Sequence, residues 1–97
     1  PAAAYARIGG LPLRDRLERL EGWRRRYGDE PGLLLALGRV CAAEKLWGKA
    51  EDYLKLALRG RATVGGHAAL AELYESLGRA DEAAEQFRAA TRLAVGG

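Results

Sequence analysis

Residues 37–57 read LGRVCAAEKLWGKAEDYLKLA, and residues 70–90 read LAELYESLGRADEAAEQFRAA. Set one above the other, they echo at an offset of 33 residues: Leu37, Gly38, Cys41, Ala50, Leu54 and Ala57 return as Leu70, Ala71, Tyr74, Ala83, Phe87 and Ala90. A fixed period in this range marks stacked helical hairpins, each too small to bury its apolar face alone. The spacing has a packing reason. Gly38 and Ala50 are small, so the two backbones of one hairpin can approach, and Ala71 and Ala83 do the same in the next. Leu54 and Phe87 are expected to fill the space between neighbouring hairpins, with Ala57 and Ala90 leaving room for the following helix.

Working outward, helix signals flank both copies. Pro31 suits a first helical turn, and Asp29 and Glu30 supply the negative charge that a helix amino terminus favours. A helix is expected from Pro31 to about Glu44. A short connection follows at Lys45 and Leu46, then a helix from Trp47 to about Arg59 with Ala50, Tyr53, Leu54, Ala57 and Leu58 inward. Thr63 can cap the next helix, from Val64 to Leu77, although Gly65 and Gly66 weaken its first turn. Gly78 suits a left-handed stop. The last helix runs from Asp81 to about Ala94, with Ala83, Phe87, Ala90 and Leu93 inward. Upstream, Leu13, Leu17, Leu20, Trp23 and Tyr27 share one helical face that ends at Gly28. Residues 1–9 read as the tail of a helix broken at Gly9 and Gly10. Glu21 with Arg25 and Glu51 with Lys55 have the four-residue spacing of helical ion pairs. The expected fold is all-α, a right-handed superhelix of antiparallel helical hairpins. One domain spans 1–97, with a partial repeat at 1–30 and full repeats at 31–63 and 64–96.

Composition narrows the function classes. Ninety-seven residues rich in Ala, Leu and Arg make one small helical domain. No apolar run reaches the roughly 18–20 residues that span a bilayer, and no signal-peptide layout is present. The chain opens on Pro1 and closes on Gly96-Gly97, and is expected to be a piece of a longer protein. Its single cysteine cannot form an internal disulfide. The net charge is +3, with basic residues in surplus early and acidic ones from residue 64 onward. That gradient serves solvated faces, or a head-to-tail contact between copies. Arg24-Arg25-Arg26 invites a nucleic-acid reading, but Asp15, Glu18 and Glu21 interleave on the same helix. No continuous basic stripe results, so nucleic acid is not an expected partner.

The pattern over 31–94 resembles the tetratricopeptide repeat. Leu34, Leu37, Gly38, Ala50, Leu54 and Ala57, then Leu70, Ala71, Tyr74, Gly78, Asp81-Glu82-Ala83, Phe87 and Ala90, carry that resemblance. It departs at Lys45, where glycine is usual, at His67, where a large apolar residue is usual, and at Ala62 and Val95, where a closing proline is absent. The run Glu30 to Cys41, followed by Leu46-Trp47-Gly48-Lys49-Ala50, also resembles the carboxy-terminal repeats of HemY-like proteins. The resemblance implies a bacterial inner-membrane protein associated with heme biosynthesis. It would be anchored by a segment outside this chain, on an unspecified side, and without catalytic activity.

The expected site is the groove lined by the first helix of each hairpin. Its residues are Leu35, Arg39, Ala42 and Ala43 from the first unit, and Ala68, Glu72 and Glu75 from the second. Arg39 and Glu72 are repeat-equivalent and should lie side by side, as a peptide clamp or as a surface salt bridge. The acids argue against an acidic peptide terminus, and the alanines favour a helix or an extended apolar segment. Cys41 reads as a buried core thiol. His67 reads as a partly buried or capping histidine, since neither residue has a ligand-spaced partner. No nucleophile–base pair and no phosphate loop is present, so neither catalysis nor a metal or cofactor is expected. The function expected is a protein or peptide scaffold, the alternative being an enzyme accessory that binds heme or porphyrin directly. Phe87, Leu93 and Val95 are expected to leave an apolar edge, open to self-association or to a missing segment.

Overall fold

The computed structural model describes residues 11–96, which form five α-helices and no strand. They are α1 (Leu13–Tyr27), α2 (Pro31–Ala43), α3 (Trp47–Gly60), α4 (Val64–Ser76) and α5 (Ala80–Gly96). The helix tail read at residues 1–9 lies outside the described residues. No helix among them is long and apolar enough to cross a membrane.

Local chemistry sets the ends. Glu30 caps α2, its carboxylate accepting from the backbone N–H groups of Gly32 at 3.0 Å and Leu33 at 2.9 Å. Thr63 Oγ1 accepts from Gly66 N–H at 2.9 Å and caps α4. The two inner turns are copies of one another. Leu46 N–H reaches back to Cys41 C=O at 2.8 Å, and Arg79 N–H to Tyr74 C=O at 2.8 Å. Each closure needs a left-handed residue, and Gly78 adopts φ +73° without strain. Lys45, its equivalent, is held at φ +62° despite its side chain.

The helices pack in chain order, with α2 against α3 and α4 against α5 as the closest pairs; α1 lies on α2, α3 on α4, and α2 also touches α4. Both hairpins are antiparallel. Pro31 at the start of α2 meets Gly60 at the end of α3. Ala62 and His67 near the start of α4 border one depression with Leu93 and Gly96 at the end of α5. Gly38 is a close-approach glycine: a Cβ there would fall 2.5 Å from Leu54 Cδ2. The described residues extend over 33 × 29 × 21 Å.

The core holds Leu20, Leu33, Leu34, Leu37, Cys41, Leu54 and Leu73 essentially free of solvent. Each such leucine contributes about 1.5–3 kcal/mol relative to an exposed one. Three inward expectations are corrected. Tyr27, the last residue of α1, is 64 % exposed, with the Arg26 guanidinium over its ring. Leu93 and Phe87 are 38 % and 37 % exposed and, with Val95, form the expected apolar edge, because among the described residues α5 packs chiefly against α4. Leu54, at the repeat position of Phe87, does fill the space between hairpins and is 1 % exposed.

Two carboxylates clasp neighbouring elements. Glu51 of α3 accepts from Tyr74 Oη at 2.8 Å, pairs with Lys55 at 3.0 Å, and meets Arg79 at 3.3 Å. Arg79 in turn lies over the Tyr74 ring and donates to Glu82. Burial alone would raise the Glu51 pKa, but its three hydrogen-bond donors outweigh that and hold it below the ordinary value. Glu21 of α1 does not take Arg25, as the spacing predicts. It accepts instead from Lys49 at 3.1 Å and Tyr53 at 3.3 Å, tying α1 to α3.

Candidate functional site

A cleft of about 470 Å³ opens where α2, α3 and α4 meet. Arg39, Ala42 and Ala43 of α2 form one wall, and Ala69, Glu72, Leu73 and Ser76 of α4 form the other. Trp47, the first residue of α3, closes one end, and Leu54 contributes to the floor. The wall residues of α4 fall at i, i+3, i+4 and i+7, one face of a helix. The alanines keep the cleft open, while Leu54 and Leu73 make its deep surface apolar.

Four of the seven expected groove residues, Arg39, Ala42, Ala43 and Glu72, therefore share one cleft. The other three do not line it. Leu35 lines a separate cavity of about 320 Å³ with Pro31, Leu58 and Thr63, on the side of the helix starts. Ala68 is half-buried, one helical position before the wall residue Ala69. Glu75 lines a different depression, with Phe87 and Ala80. Trp47, Leu54, Leu73 and Ser76 were not among the expected groove residues, because periodicity points only to the first helix of each hairpin. The signal for Trp47 is the repeat itself, which has Ala80 in its place.

Arg39 and Glu72 share the cleft but form no ion pair within 4.0 Å among the described residues. A helical side chain leans toward its own amino terminus, so the Arg39 guanidinium reaches back, 3.4 Å from where a Cβ on Gly65 would stand. Both charges stay exposed and available to a ligand. The arginine run is differently placed. Arg24 pairs with Asp29 at 2.8 Å and lies over the Tyr53 ring, so it is spent on local structure.

Cys41 is fully buried, and burial pushes its thiol up to about 11. It is a core residue with almost no thiolate at neutral pH. His67 is half-buried, and its Nδ1 lies 2.7 Å from Gln86 Oε1. In the tautomer that donates from Nδ1 to that amide oxygen, Nε2 presents the lone pair. At the equivalent positions the first unit has Leu34 and Tyr53, both buried. Among the described residues no group of three or more His, Cys, Asp or Glu side chains could hold a metal ion.

No family model, characterised protein or solved structure matches the chain.

Proposed function

We propose that the chain is a non-catalytic protein-interaction module of the tetratricopeptide kind, its hairpins stacked along a right-handed superhelix. In this reading it is the carboxy-terminal repeat part of a HemY-like protein, tied to the bacterial inner membrane by a segment outside the chain. The observation that supports it is the cleft between α2 and α4, apolar in depth and flanked by Arg39 on one wall and Glu72 on the other. Such a cleft suits one apolar side chain of a peptide, with the flanking peptide oriented by the two charges. Ligand orientation then follows from charge, since an acidic flank meets Arg39 and a basic flank meets Glu72.

The test is to select peptides from a random library on this chain and measure their affinity by calorimetry. Arg39→Glu should weaken the selected peptides about tenfold or more, the cost of turning one attractive contact repulsive. Ala43→Arg should weaken them by filling the cleft. Both positions are solvent-exposed, so the fold is kept. Undiminished affinity in both variants would refute the cleft as the ligand site.

A second reading, direct binding of heme or porphyrin, is favoured by the His67–Gln86 pair. A ring anchored through Nδ1 presents Nε2 as a ligand atom. The ring borders an open depression of about 530 Å³ lined also by Ala62, Ala89, Arg92 and Leu93. Hemin titration separates the readings: a Soret shift that disappears in His67→Ala would favour this one over the scaffold alone.

A further inference from the structure

The inner cleft has a half-built copy at the end of the molecule. Ala42, Trp47 and Leu54 line the inner cleft, and their repeat equivalents Glu75, Ala80 and Phe87 line a depression of about 360 Å³ on α4 and α5. In the inner cleft the opposing wall is α4, which brings Ala69, Glu72, Leu73 and Ser76. In the outer one no described element supplies that wall. The consequence shows at one repeat position, where Leu54 is 1 % exposed and Phe87 is 37 % exposed.

We propose that this depression is a docking site for an amphipathic helix of a partner protein, lying in the register that α4 adopts over α3. Two features fix its chemistry. The face must carry small and apolar residues at i, i+3, i+4 and i+7, as α4 does, so that its backbone can come close and cover Phe87. It must carry a cation, because the charged residue at this rim is Glu75, where the inner cleft has Ala42. Glu72, at the position of Arg39, adds to the negative potential. A second copy presenting the outward side of α1 is poorly suited to the role. The outward side of α1 shows exposed Arg14, Glu18 and Arg25, with no apolar residue to set against Phe87.

The probe is a synthetic helical peptide holding Ala, Lys, Leu and Ser at i, i+3, i+4 and i+7, with a control in which Glu replaces Lys. Amide chemical-shift perturbation on the whole chain locates and quantifies binding. The Lys peptide should saturate and shift Gly78, Ala84 and Phe87, and bind at least fivefold tighter than the Glu control. Glu75→Lys, an exposed substitution, should reverse that preference, and Phe87→Ser should weaken the Lys peptide about tenfold. Retention of the Glu75→Lys reversal keeps the result interpretable if Phe87→Ser loosens α5. The proposal is overturned if neither peptide binds at millimolar concentration, or if shifts fall in the inner cleft. It is also overturned if the chain self-associates in a way that Phe87→Ser abolishes, which would assign the face to a second copy.

Discussion

Gly38 and Gly22 both sit inside helices, yet replacement by alanine acts on them in opposite directions. A methyl at Gly38 meets Leu54 Cδ2 at 2.5 Å, and Leu54 is too buried to swing away. Gly38→Ala should therefore destabilise by about 1–3 kcal/mol, the usual cost of overpacking. A methyl at Gly22 has only Arg25 Nη2 nearby, at 3.7 Å. Gly22→Ala should stabilise by about 0.5–1 kcal/mol through helix propensity. Lys45→Gly should stabilise by about 0.5–1 kcal/mol, because a left-handed L-residue is strained and glycine is not. Urea midpoints of the three variants check these signs. The first and third were legible in the sequence, since the repeat marks Gly38 as a contact position and shows glycine at the equivalent of Lys45. The location of Tyr27 was not. Its apolar spacing says that it belongs to the helix face, but not how much of that face is covered at the helix's last residue.

At the scale of elements, the clasp at Glu51 joins α3 to α4 and to the turn before α5. Its pairing with Lys55 follows from four-residue spacing, but Tyr74 and Arg79 lie too far along the chain for any local rule to reach. The same limit explains Glu21, whose local partner Arg25 loses to Lys49 and Tyr53 once α1 packs beside α3. Glu51→Gln should cost about 1–2 kcal/mol at neutral pH by weakening bonds to partly buried partners. The folded-state pKa of Glu51 is depressed, so its contribution is complete above the ordinary value of 4.5 and is lost as pH falls below it. Glu51→Gln should flatten the acid limb of the stability profile, as measured by thermal melts from pH 6 down to pH 3. Cys41 acts at the other end. Burial holds its folded pKa at about 11, above the ordinary value of 9.0, so stability is complete below pH 9 and declines as pH rises toward 11. Cys41→Ser should remove that alkaline decline while introducing a fixed cost from a buried hydroxyl.

The whole molecule joins two sequence-equivalent hairpins whose differences carry the chemistry. Helix identity and much of the core were readable because small and large positions recur 33 residues apart. The candidate site was readable only in part. Periodicity identifies the first helix of each hairpin, and four of the residues it points to, Arg39, Ala42, Ala43 and Glu72, line one cleft. It does not separate the sides of α4, and Glu75, expected in the groove, lines the outer depression. Nor could it show that Trp47, from a second helix, closes one end. That tryptophan now offers the most direct test. The chain has two tryptophans, Trp23 near the α1 core and Trp47 in the cleft, so its spectrum should contain two indole N–H signals. Titrating a library-selected peptide into the labelled protein should shift the Trp47 indole signal and leave that of Trp23 in place. A bound peptide that moves neither signal, or moves Trp23 alone, would contradict the account.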